Sequence, residues 1–237
     1  MFEQLAPLLD HLGEKRIGIL HLGGYNLKFD VEAIVMGWIV IAILVVVALL
    51  LRRGLRQSVE EKPTRTQAML DGIIGFIEGQ LLGNFSSESL ARQMFPFIAT
   101  LFLYVLVSNW LSVVPYLSSP TQDLNVTFGL ALMVYIVAQV MAVRAKGGRK
   151  YLKGFLEPVP FLLPITLVGE ISKPLSHAFR LFGNTLAGTI LVTVVMVKFA
   201  PILVPSGLNL VFGLFFGAIQ AFVFAILAVA YIDVAVG

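Results

Sequence analysis

The sequence predicts an all-α integral membrane protein: five transmembrane helices plus one amphipathic surface helix, with the last two spans long and strongly tilted. Three observations carry that expectation. Of 237 residues, 58% are hydrophobic and only 13% are charged, and the mean hydropathy is +0.90, whereas an average soluble domain is about 25% charged. The apolar residues fall in uncharged runs long enough to cross about 30 Å of hydrocarbon at about 1.5 Å per residue. The basic residues gather in two short loops between those runs. Despite a net charge of +3, that arrangement reads as membrane topology and not as a nucleic-acid surface. One membrane domain, 1–237, is expected, with no room for a separate soluble catalytic unit.

Residues 1–32 are expected to form an outer, polar or interfacial N-terminal segment. Glu3, Asp10, Glu14, Lys15, Arg16, Lys28 and Asp30 leave no apolar core for a cleavable signal. The first span is 33–51, nineteen residues without a charge, followed by Arg52, Arg53, Arg56, Lys62 and Arg65. By the positive-inside rule it runs from outside to inside. Over 66–83, Met69, Ile73, Ile74, Phe76, Ile77 and Leu81 recur at helical spacing, but Asp71 and Glu78 interrupt them. That pattern predicts an amphipathic helix on the inner surface.

The spans 94–118 and 125–143 make a helical hairpin whose turn, marked by Pro115 and Pro120, lies outside. Arg144, Lys146, Arg149, Lys150 and Lys153 form the second basic loop, two spans after the first and so on the same inner side. The segment 158–198 must then cross outward. Its roughly 40 residues make about 60 Å of helix. Crossing a core of about 30 Å as one helix requires a tilt near 60°, well beyond the usual 20° or so. Two ordinary spans would need a polar turn, which the sequence lacks. Pro164 and Pro174 are the candidate kinks. After an outer loop at Pro201–Ser206, the last helix, 207–233, returns inward, with Gln220 near its middle and Gly213 and Gly217 spaced for close helix packing.

Within 158–198, Arg180 sits at membrane depth, because Leu181–Val197 carries no charged side chain. Arg at the centre of a spanning helix costs about 3 kcal/mol on insertion scales, so its presence there marks a functional site. Its charge is permanent. Positions three and four apart share a helix face, so Lys173, His177, Arg180, Asn184 and Gly188 make one polar stripe. Pairing of Arg180 within its own chain, for packing alone, is the alternative, and Glu170 and Asp233 are the nearest carboxylates for it. Neither is at the same depth.

Three runs of residues resemble a known family. Ser172–Gly188, SKPLSHAFRLFGNTLAG, is similar to the signature of subunit a (subunit 6) of bacterial-type F-type ATP synthases. Gln220–Phe224, QAFVF, resembles that family's element in the last helix, and Ser119–Thr127, SPTQDLNVT, its loop before the fourth helix. The resemblance implies a stator ion-channel subunit of the membrane sector, not catalytic on its own. It would provide two half-channels for protons and an essential Arg180 facing the c-ring, coupling ion translocation to rotation and ATP synthesis.

The implied partners are a c-ring of small two-helix subunits, peripheral-stalk b subunits and the lipid bilayer, without nucleic acid, metal or cofactor. The implied location is the bacterial plasma (inner) membrane, with the N-terminus outside and the C-terminus cytoplasmic. By topology, Glu170, Lys173, Ser176 and His177 lie on the inner side of Arg180. Asn184 and Thr189 lie on the outer side, Asp123 and Asn125 at the outer mouth, and Gln220 at mid-depth on the antiparallel last helix. A snorkelling Lys173 and a purely structural His177 or Gln220 are the alternatives at those positions.

Several members of this family carry titratable groups at the positions of Thr189 and Gly213, and neither residue here can relay a proton at neutral pH. The outer path is therefore expected to be hydrated, with Asn184 and Thr189 facing water. The alternative is dry: Thr189 bonded to its own helix and Asn184 joining two helices. H⁺ is the expected ion and Na⁺ the open alternative.

Other chemistry finds little support. Cysteine is absent, no GxxxxGK[ST] phosphate loop occurs, and His11, His21 and His177 lack metal-site spacing. A secondary transporter would show repeated halves, and no internal repeat is seen. A purely structural assembly subunit would tolerate loss of Arg180. The topology is testable in this Cys-free chain: single cysteines at Ser58 and Gly148 should react with an impermeant thiol reagent from the cytoplasmic side only. Labelling of position 148 from outside in intact cells would invert the scheme.

Overall fold

Four helical stretches among the described residues are long and apolar enough to cross a membrane: Val31–Arg52, Glu88–Leu111, Leu124–Lys146 and Gly213–Val236. They belong to a computed structural model that describes residues 17–22, 25–54, 65–114, 117–154, 161, 163–199 and 211–237. The expected outer loop at Pro201–Ser206 lies outside the described residues, as do Arg56, Lys62 and Pro115.

Before the first span, β1 (Ile17–Leu22) pairs antiparallel with β2 (Tyr25–Asp30), Leu22 opposite Tyr25 and Ile17 opposite Asp30. This short hairpin precedes an otherwise helical chain among the described residues, in keeping with the expected all-α class. The signal was present in Gly23 and Gly24 between two runs of β-forming residues, a hairpin-turn pair. Helix α1 (Val31–Gly54) follows directly. Asp30 caps it, its carboxylate accepting from the Glu32 and Ala33 N–H groups at 3.0 and 3.3 Å.

Helix α2 (Arg65–Phe76) runs into a π-helical turn, Ile77–Leu81, and a 3₁₀ turn, Leu82–Asn84. Met69 is 70% exposed and Ile73, Ile74 and Phe76 are exposed, whereas Ile77, Leu81 and Leu82 are buried against the bundle. Helix α3 (Glu88–Leu111) begins earlier than the uncharged run and ends before the prolines, in hydrogen-bonded turns through Val114. A 3₁₀ turn, Pro120–Gln122, then leads to α4 (Leu124–Lys146), for which Asp123 is the N-cap, accepting from the Asn125 N–H at 2.7 Å. Gly147, with φ 78°, ends α4, a backbone angle that side chains other than glycine resist. The short α5 (Gly148–Gly154) follows at once.

Helix α6 (Leu163–Phe199) is one element of 37 residues, about 55 Å long at 1.5 Å per residue, with Pro174 inside it. A π-helical turn, Val211–Phe216, then opens into α7 (Gly217–Val236).

Helix α7 is the centre of the bundle, packed between α3 and α4, while α6 packs mainly on α4, and α1 leans on α3 and the Pro120 turn. The buried side of α7 repeats at helical spacing: Gly217, Ala221, Phe224, Ala225, Ala228, Val229 and Ile232. Small residues dominate because hydrocarbon offers no hydrophobic drive between helices, so association depends on close van der Waals contact. The opposing stripes are Met94, Ile98, Leu101 and Val105 on α3 and Ala131, Val134, Ala138 and Met141 on α4. Apolar side chains also cover the outside, from Trp38 at 68% exposure to Ile165 at 70%, as a lipid-facing surface requires.

The tightest approach is at Gly217, where an added Cβ would lie 3.1 Å from the Asn109 Cβ and 3.6 Å from the Trp110 ring. Gly217→Val should therefore destabilise the bundle by about 1–3 kcal/mol, read as a lowered thermal midpoint in detergent. Gly217→Ala should fall between it and the unaltered chain. An unchanged midpoint for Gly217→Val would mean that this contact is loose.

Candidate functional site

The polar stripe expected on α6 divides in the structure. Arg180 is exposed, next to Phe179 at 54% exposure in sequence, and on the helix face of exposed Ser176, Gly183 and Asn184. Among the described residues it has no hydrogen bond or ion pair. His177, three residues earlier, turns inward and is only 1% exposed. Its ring meets Phe224 edge-on at a centroid distance of 3.8 Å and lies 5.5 Å from Tyr231. Among the described residues, neither His177 nitrogen has a hydrogen-bond partner. Ser176 is exposed and Lys173 half-buried.

On the next turn toward the C-terminal end, Asn184 reaches α7: its Nδ2 donates to Gln220 Oε1 at 2.9 Å. Gln220 is buried at 5% exposure, and its own Nε2 has no protein partner. Thr189 accepts from Gln122 Nε2 at 3.1 Å and donates to the Thr185 carbonyl at 3.0 Å. These are the contacts of the drier alternative for Asn184 and Thr189, although the Asn184 side chain stays exposed.

Behind them runs a network the sequence did not reveal. Thr185 Oγ1 donates to the Thr121 carbonyl at 3.0 Å, Thr121 Oγ1 to Asn109 Oδ1 at 2.8 Å, and Asn109 Nδ2 to the Gly217 carbonyl at 3.0 Å. The Trp110 indole donates to the Leu214 carbonyl at 3.0 Å, inside the π-helical turn, where the backbone ladder is irregular. The only sequence-level signal was the run of Ser, Thr and Asn at both ends of the Pro120 turn. Asp123 is 4% exposed and Asn125 exposed, beside this network at the start of α4.

At the opposite end of α6, Glu170 forms an ion pair with Lys173 and accepts from Gln139 Nε2 of α4 at 3.1 Å. Tyr151 of α5 donates to Gln139 Oε1. Asp233, a candidate partner for Arg180 by composition, is bonded instead by Ser86, from its N–H at 2.9 Å and its hydroxyl at 2.6 Å. Neither carboxylate reaches Arg180. Among the described residues, no three His, Cys, Asp or Glu side chains converge as a metal site would require.

The site therefore has an exposed guanidinium among small and polar exposed residues, Ser176, Gly183 and Asn184, an amide pair beside it, and a polar cluster at each end of the same helix. A family model described as the ATP synthase A chain matches residues 34–233. The chain belongs to the ATP synthase A chain family. It is 36% identical over 222 residues to "ATP synthase subunit a, sodium ion specific" of Propionigenium modestum, covering 86% of this chain and 73% of that one. It is also 38% identical over 199 residues to "ATP synthase subunit a 1" of Crocosphaera subtropica, covering 84% of each.

The Asn184–Gln220 bond is testable through non-additivity. In a double-mutant cycle of Asn184→Ala and Gln220→Ala, thermal midpoints in detergent should show a coupling of about 0.5–1.5 kcal/mol. Purely additive losses would mean that the amides do not hold α6 to α7.

Proposed function

We propose that this chain is the stator ion-channel subunit of a rotary F-type ATP synthase, with Arg180 facing a ring of small two-helix c subunits. The observation that carries the reading is the exposure of Arg180 in a helix whose next seventeen residues, Leu181–Val197, carry no charge. A permanent cation on a lipid-depth surface needs an anionic partner from outside the chain. A carboxylate on a rotating ring is such a partner. At about 4 Å and an effective dielectric near 20, the attraction is about 4 kcal/mol, equivalent to about three pKa units. Such a field favours the deprotonated carboxylate as it passes and bars direct leakage between the two sides.

In this reading α6 is the fourth of five spans and crosses strongly tilted, since its length exceeds the hydrocarbon thickness. Two half-channels end near Arg180. Glu170, Lys173, Ser176 and His177 line the inner one, and Asn184, Thr189, Asp123 and Asn125 the outer one, with Gln220 between α6 and α7 at mid-depth. Thr189 and Asn184 do not titrate near neutral pH, so ions in the outer passage move through water and hydroxyl groups. The α2 helix lies on the inner surface and presents Met69 and Ile73 to lipid. Peripheral-stalk b subunits complete the stator in a bacterial inner membrane, with the N-terminus outside and the C-terminus cytoplasmic. The ion is H⁺. In a second reading it is Na⁺, favoured by the 36% identity to the subunit named sodium ion specific.

Arg180→Ala should abolish ion-driven ATP synthesis while the complex still assembles. Arg180→Lys should do nearly the same, because a flexible ammonium does not reproduce a planar, permanently charged guanidinium. Synthesis measured in inverted vesicles decides this. Near-normal coupled synthesis by Arg180→Ala would overturn the assignment.

A further inference from the structure

The polar chain at the Glu170 end of α6 links three elements and contains two residues that have so far been given no role. Glu170, whose side chain is 18% exposed, pairs with Lys173 through one carboxylate oxygen and accepts from Gln139 Nε2 through the other, at 3.1 Å. Gln139 lies in α4, in a run otherwise free of charge from Leu124 to Val143. A half-buried amide can be turned end for end, and only one orientation donates to a carboxylate. The Glu170 carboxylate, which can only accept, selects the orientation with Nε2 toward it, and the Tyr151 hydroxyl then satisfies Gln139 Oε1 by donating to it. In the reversed amide, a carbonyl would face the Glu170 carboxylate.

Tyr151 stays a donor because burial, with the negative charge of Glu170 added, raises its pKa above the ordinary phenol value. Tyr135 stands beside the same two groups. Among the described residues, Lys173 is the one cation paired with Glu170. Arg144, Arg149, Lys150 and Lys153 are exposed, Lys146 is half-buried at the end of α4, and Asp233 is held by Ser86.

We propose that Gln139 and Tyr151 are positioning residues that hold Glu170 in its ion pair with Lys173, so that a monovalent cation meets a fixed, nearly neutral pair at the inner mouth. This rests on the reading of α6 as the ion path. An unpaired carboxylate at a pore mouth retains a cation, whereas a pair of opposite charges binds it weakly enough for release. Two donors on different elements, α4 and α6, also leave Glu170 few rotamers. Gln139 and Tyr151 therefore act through Glu170 without touching the ion.

The test uses the membrane sector with its c-ring, reconstituted in vesicles without the catalytic head. Passive proton entry is driven by a potassium diffusion potential, followed with a pH-sensitive dye, and repeated with sodium flux. Glu170→Gln and Gln139→Leu should each lower conduction several-fold, and Tyr151→Phe should lower it less, all with normal amounts of assembled subunit. Adding Gln139→Leu to Glu170→Gln should cause no further loss, a result that a merely structural role would not produce. If Gln139→Leu fails to insert, Gln139→Asn, too short to bridge, and Tyr151→Phe make the same test.

Multiplying losses in the double variant would overturn the positioning role. So would normal conduction by Gln139→Leu and Tyr151→Phe where Glu170→Gln conducts poorly. In either case the ion path itself would stand. Normal conduction by Glu170→Gln would remove both this proposal and the inner passage at Glu170, leaving Arg180 to be judged by coupled synthesis.

Discussion

Asn109 is the joint on which the bundle depends. Its amide donates to the Gly217 carbonyl at 3.0 Å and accepts from Thr121 Oγ1 at 2.8 Å, and the Thr121 carbonyl accepts from Thr185. One buried side chain thus ties α3, the Pro120 turn and α7 together, and α6 meets the same turn where Thr185 Oγ1 lies between the Thr121 carbonyl and the Leu181 carbonyl of its own helix, at 3.0 and 2.8 Å. In hydrocarbon an unpaired buried polar group costs about 1–3 kcal/mol, and water is absent to replace a missing partner. The network is therefore sensitive to register: shifting any one helix would strand several groups at once. Gly217 makes it possible, since any larger residue would hold α7 away from Asn109.

With α6 and α7 clamped there, the amides of Asn184 and Gln220 meet while Arg180, one turn away, remains on the outside. Helical geometry explains the division of the polar stripe. At about 100° per residue His177 and Arg180 lie only about 60° apart, so the stripe runs along the edge of the buried side, with His177 inside that edge and Arg180 exposed just beyond it. His177 then packs on Phe224 with both nitrogens unpaired, and Gln220 keeps one unpaired amide nitrogen. Buried polar atoms without partners are uncommon. Their concentration within a few residues of Arg180 sets this part of the bundle apart from the apolar packing elsewhere.

The two ends of α6 are built differently. At the Thr189 end its neighbours are hydroxyls and amides: Thr185, Thr189, Gln122 and Thr121. At the Glu170 end they are charges held by hydrogen bonds to other helices, Glu170 with Lys173 and Gln139.

Sequence alone determined the helices and the residue worth asking about. Uncharged runs of the right length must be helical in a bilayer, because only a helix satisfies its own backbone there, and Arg180 stands out because no other cation lies so deep in such a run. The family was legible too, because Arg180, Asn184 and Gln220 sit in contiguous runs. The β1–β2 hairpin had a signal in Gly23 and Gly24, but its short strands lack the long apolar period on which the rest of the reading relied. Tertiary structure decided what periodicity cannot: which face of each helix turns inward, that Asp233 bonds Ser86, and that Asn109, Thr121 and Thr185 form one chain. Those partners are distant in sequence, Asn109 from Gly217 by 108 residues. No local pattern encodes a contact that exists only when helices from opposite ends of the chain are packed side by side.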